Sequence, residues 1–152
     1  MNGYEEQYHR VKRWYAKLEE LSPIADSDFY QDVLYAFFQN SHHLKDWIEK
    51  DKRLVGKLPW GKVDEVINAS DCLRLAADIC NASKHVECTR RPRSFENPRI
   101  GSSRVISLGS ESELVFVVHT DKRQESAFNL AAECMEEWEF FIESVIEPLL
   151  AS

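Results

Sequence analysis

Apolar residues recur with the period of an α-helix in four long stretches of this chain. Over residues 4–20, Tyr4, Tyr8, Val11, Trp14, Tyr15 and Leu18 stand three or four apart with charged residues between them, the stripe of an amphipathic helix. Ser22-Pro23 and Asp26-Ser27-Asp28 are turn and N-cap chemistry. Phe29, Val33, Leu34, Phe37, Phe38, Leu44, Trp47 and Ile48 then mark a second helix to about Asp51. Pro59-Trp60-Gly61 interrupts the pattern, and residues 63–67 read as a short helical turn. Asn68, with Asp71 three residues on, reads as the cap of the next long helix. That helix runs to about Val86 and buries Leu73, Leu75, Ala76, Ala77, Ile79 and Cys80.

The pattern then changes. Residues 88–102 hold Pro92, Pro98, Gly101 and four arginines, which is loop chemistry. Residues 103–108 and 113–119 are rich in β-branched and aromatic side chains around Gly109-Ser110-Glu111-Ser112, which predicts a hairpin over about 103–119. From Arg123 to Leu150 the helical period returns through Phe128, Leu130, Ala131, Met135, Trp138, Phe141, Ile142, Val145 and Ile146, with Pro148 near a frayed end. The predicted fold class is mostly α: an antiparallel four-helix bundle with a β-hairpin insertion before the last helix, in one domain spanning 1–152. Phe37, Trp47, Ile79 and Trp138 are its expected core aromatics and aliphatics. An isolated hairpin is marginal in water, so this one must pack on the bundle or on a second copy of the chain.

Length and composition agree with a single globular unit. The 152 residues are 43% hydrophobic and 30% charged, and no run approaches the roughly 20 apolar residues of a membrane span. Charges near the start, where a signal peptide would carry its apolar core, predict a cytoplasmic chain. Cys72, Cys80, Cys88 and Cys134 include no CxxC pair and read as reduced, buried thiols. The net charge of −7 disfavours indiscriminate binding to nucleic acid or anionic membrane. Residues 84–104 nevertheless carry six basic groups against two acids, a local net of +4, leaving −11 on the remainder.

Two polar stripes hold the candidate chemistry. Arg74, Asp78, Asn81 and His85 stand at i, i+4, i+7 and i+11 of the helix before the loop, within an arc of roughly 60°. Tyr35, Gln39, His42 and Asp46 form a comparable line on the second helix, where His42 and Asp46 are spaced to share a hydrogen bond. Each stripe can equally be a solvated face. If the two helices are neighbours, His42 and Asp46 meet Asp78, Asn81 and His85. The same groups could ligate a metal, although there is no HExxH and no ExxH pair of the di-iron type, and no cofactor is expected. There is no GxSxG nucleophile and no glycine-rich phosphate loop.

The segment Asp78-Ile-Cys-Asn81-Ala-Ser-Lys84-His85 resembles the end of the catalytic helix in HEPN-type domains. Asn81 and His85 match the family's polar residue and histidine, while Cys80 stands at the arginine position and Arg74 lies further back on the same stripe. The resemblance covers the helices, about two-thirds of the chain. It implies a small, often dimeric helical bundle acting as a metal-independent endoribonuclease, of the kind found in toxin–antitoxin and antiphage defence systems. RNA cleavage without a metal needs a base for the 2′-hydroxyl, an acid for the leaving oxygen and a cation for the phosphorane. His85, Asn81, Asp78, Asp46 and His42 are the candidate catalytic set, and Lys84, Arg90, Arg91 and Arg93 the candidate RNA contacts. Two other readings stand beside this one: a non-enzymatic acidic interaction module, such as an immunity or regulatory partner, and a metal-dependent hydrolase using His42, Asp46, Asp78 and His85.

Overall fold

The computed structural model describes residues 3–84, 92–106 and 112–152, with side chains throughout except at 103–106 and 112–113. It is mostly helical, with a small antiparallel sheet. In chain order the elements are α1 (Tyr4–Glu20), α2 (Ser27–Glu49), α3 (Lys62–Ala69), α4 (Asp71–Lys84), β1 (Arg99–Ile106), β2 (Ser112–His119), β3 (Gln124–Ser126) and α5 (Ala127–Phe141). The last helix continues through a π turn, Ile142–Ile146, into a final α segment, Glu147–Ala151. Pro148 cannot donate to the turn before it and would crowd the carbonyl four residues back, and a widened turn just ahead of it absorbs that conflict.

Helix α2 lies at the centre, in contact with α1, α3, α4 and α5. Its Val33, Leu34, Phe37, Phe38, Ser41, Leu44 and Ile48 are buried at helical spacing. Trp138 of α5 is 1% exposed and donates its indole N–H to Ser41 Oγ at 2.9 Å, so the largest side chain of the core is satisfied as well as packed. Phe37 and Ile79 are buried as expected, whereas Trp47 is only half-buried, with the Arg10 guanidinium 5.7 Å from its ring. Among the described residues no helix is long and apolar enough to cross a membrane.

Three local expectations change. The segment expected as a single turn at 63–67 is the eight-residue helix α3. The cap of α4 is Ser70 rather than Asn68, since Ser70 Oγ accepts from Leu73 N at 3.3 Å. The hairpin is a three-stranded meander in the order β1-β2-β3: β1 begins at Arg99, within the expected loop, and β3 occupies the expected start of the last helix. Pairing runs Arg99↔His119 to Ile106↔Ser112, and Val117↔Ser126 to His119↔Gln124. Phe116 stacks on Tyr30 of α2 at 5.1 Å, and Gln31 Nε2 donates to Ile100 O at 3.2 Å. These contacts seat the sheet on the helices, which supplies the packing that an isolated hairpin lacks.

Candidate functional site at the meeting of α2 and α4

Helices α2 and α4 pack side by side, but among the described residues the bridges between them do not pair a residue of one polar stripe with a residue of the other. Gln39 Nε2 donates to Ser83 Oγ at 2.9 Å, and His43 Nε2 lies 3.7 Å from Cys80 Sγ. Both bridges sit toward the C-terminal end of α4, next to half-buried Asn81 and exposed Lys84. His42 forms no hydrogen bond to Asp78 or Asn81, so the composite contact expected there is made by Gln39 and His43 instead. His85, Arg90 and Arg91 lie outside the described residues, as does any pairing of His42 with His85.

His42 is half-buried, and its pKa is lowered from 6.5 to about 4. Burial is the largest cause, followed by the positive charges of Arg93, His43 and Lys45, with Asp46 opposing. At neutral pH its imidazole is therefore uncharged. His43 is lowered for the same leading reason, with Lys84 adding to it. The Asp46 side chain is 60% exposed, and among the described residues its one ion-pair contact is Lys45 Nζ at 3.9 Å, too long for a firm ion pair.

Asp78 is 2% exposed and is occupied by the loop that follows α4. Its Oδ1 accepts from Arg93 N at 2.8 Å, and its Oδ2 accepts from Ser94 N at 2.8 Å and from the Ser94 hydroxyl. A carboxylate so engaged organises backbone. Arg93, expected as an RNA contact, reaches back to α3, donating to Asn68 Oδ1 at 2.9 Å and Asp64 Oδ1 at 3.0 Å. Arg74 likewise donates to the Asn68 carbonyl at 2.5 Å and to Asp71 Oδ1 at 3.3 Å. Arg123 ties this region to the sheet through Asp71 at 2.7 Å and Glu96 at 3.0 Å.

Sequence reasoning named Arg93 but missed Ser94 and Phe95, which this loop also presents. Asn68, Arg74, Pro92, Arg93, Ser94 and Phe95 line an open cleft of about 630 Å³. A second cleft, of about 530 Å³, runs from Lys45 and Glu49 past Val55 and Trp60 to Asp64, with Trp60 wholly exposed. Among the described residues no three His, Cys, Asp or Glu side chains converge as a metal site would require, so His42, Asp46 and Asp78 do not by themselves form one. Compared with known proteins, the chain matches no family model, no curated protein and no solved structure.

Proposed function

We propose that this chain is a HEPN-like domain that binds or cleaves RNA without a metal, with α1, α2, α4 and α5 as the antiparallel four-helix bundle of that family. One observation carries the reading: the Gln39–Ser83 and His43–Cys80 bridges join α2 to the end of α4 where Asn81 and Lys84 lead into His85. In the reaction, a base removes the proton of a 2′-hydroxyl as its oxygen attacks the adjacent phosphorus. The bond to the 5′-oxygen then breaks as an acid protonates the leaving group, giving a 2′,3′-cyclic phosphate and a 5′-hydroxyl. His85 is the acid or base, Lys84 meets the phosphorane charge, and Asn81 orients the phosphate. His42, uncharged at neutral pH, supports the site from α2, and a second copy of the chain completes the family's dimeric form.

The test is cleavage of labelled single-stranded RNA in excess EDTA, with the cyclic phosphate as the diagnostic product. His85→Ala should lower the rate by about 10² to 10⁴ and leave the fold intact, and Asn81→Ala should lower it less. Wild-type protein that neither binds nor cuts several RNAs at low salt would sink the reading. The non-enzymatic interaction module would then take its place. A specific observation favours that alternative: Trp60 is fully exposed and Val55 is 70% exposed on the α2–α3 connection, the kind of apolar anchor that protein interfaces bury.

A further inference from the structure

The connection between α2 and α3 holds an apolar tip in solvent. Asp51 and Leu54 are buried at its base. Its turns are closed by Leu54 N donating to Asp51 O at 2.9 Å, Lys57 N to Leu54 O at 3.0 Å and Lys62 N to Pro59 O at 3.1 Å. Gly56 and Gly61 supply left-handed backbone, at φ +81° and +79°. The side chains displayed are Val55 and Trp60, and among the described residues the Trp60 ring has no aromatic, cationic or hydrogen-bonded partner. Charge gathers on the same segment. Residues 50–62 carry five basic groups against one acid, a local net of +4. Arg53 is committed to Asp51 and Glu5, and Lys57 to the main-chain oxygens of Leu149 and Ser152. Lys50 and Lys52 are exposed and have no ion pair with a described residue.

The exposed face of α5 is the complement. Residues 127–152 hold six glutamates and no Lys, Arg or Asp. Phe140 is 71% exposed on that face, with Glu136 and Glu137 one turn before it and Glu143 one turn after. All three glutamates are exposed, and none has an ion pair with a described residue. Carboxylates around a bare ring repel phosphate and suit a cationic surface with an apolar centre. The Trp60 loop is such a surface. It abuts the end of the same last helix through the Lys57 bonds to Leu149 and Ser152, and Phe140 stands about 14 Å further up. We propose that two copies of the chain dock through these surfaces, Trp60 and Val55 of each against Phe140 of the other, with Lys50 and Lys52 beside Glu136, Glu137 and Glu143. Under a two-fold axis the contact occurs twice, which closes the pair. It uses none of the residues of the α2–α4 site and holds whether or not RNA binds.

The test is the mass of the whole chain by sedimentation velocity over about 5 to 200 µM, the range that suits a contact at the small end of specific interfaces. Wild type should reach twice the monomer mass. Trp60→Ser and Phe140→Ser should each weaken association about 10-fold or more, the loss of an aromatic anchor, with the melting temperature unchanged because both rings stand outside the core. Charge reversal then identifies the partner surface. Lys50→Glu with Lys52→Glu in one variant, and Glu136→Lys with Glu143→Lys in another, should each give a monomer with unchanged circular dichroism. An equimolar mixture of the two should regain the dimer, because the reversed loop then meets the reversed helix face while the native loop meets the native face. Wild type that stays monomeric throughout that range overturns the proposal. A dimer that survives either reversal, or a mixture of folded variants that stays monomeric, overturns it as well.

Discussion

A histidine with a folded-state pKa of about 4 and an ordinary value of 6.5 makes stability depend on pH in a definite direction. Between those two values the unfolded chain binds a proton that folded His42 refuses. The contribution is complete above pH 6.5 and drains away as the pH falls toward 4. Allowing for its partial exposure, the effect is on the order of 2 kcal/mol, and half-buried His43 acts in the same sense. Urea midpoints should therefore drop between pH 7 and pH 4.5, and His42→Gln should flatten that drop. An unchanged slope in the variant would mean that the imidazole is solvated after all. The periodicity that put His42 on a polar stripe could not reveal this state, which depends first on burial and then on the charges of Arg93, His43 and Lys45. Asp78 shows the same boundary. Its place on the α4 stripe was legible from spacing alone, but its partners are backbone amides 15 and 16 residues onward, and amides leave no mark in a sequence.

At the scale of elements, long stretches with a strong period were readable, and short ones were set by tertiary contacts. Helices α1, α2, α4 and α5 follow their apolar stripes, because each has to bury a continuous face. Helix α3 and strand β3 are too short for a period to declare itself. Strand β1 reaches back to Arg99 because β2 offers pairing partners as far as His119. Capping gives a sharper contrast, since Asn68 and Ser70 are both good cap residues and only geometry separates them. Ser70 is buried, accepts from Leu73 N and has Cys72 Sγ 3.2 Å from its hydroxyl, whereas Asn68 is exposed and receives Arg93. Ser70→Ala should cost about 1 to 2 kcal/mol in urea unfolding and Asn68→Ala well under 1 kcal/mol. The reverse ranking would restore Asn68 as the cap.

Over the whole molecule, charge and core are arranged separately. The core forms around α2 and is sealed by Trp138, while the basic stretch from Lys84 to Arg104 is gathered on one segment of an otherwise acidic chain. Composition made that asymmetry legible, but it could not tell arginines that are neutralised within the fold from those free to meet a partner. Arg93 belongs to the first group, with Asp64 at 3.0 Å and a side chain 29% exposed. Lys84, at the exposed end of α4, has no ion pair with a described residue, and with Arg90 and Arg91 it makes up the remaining basic positions of the proposed contact set. The two groups should separate in the salt dependence of RNA binding. Each phosphate contact to a single strand contributes about 0.7 to the slope of log affinity against log salt. Replacing Lys84, Arg90 and Arg91 together with Gln should flatten that slope by about 2, with the melting temperature little changed. Arg93→Gln should leave the slope nearly as it is and lower the melting temperature, because it breaks the links from the loop to Asp64 and Asn68. A triple variant with the wild-type slope would show that these three side chains do not touch phosphate, and the basic segment would then be a solvated loop.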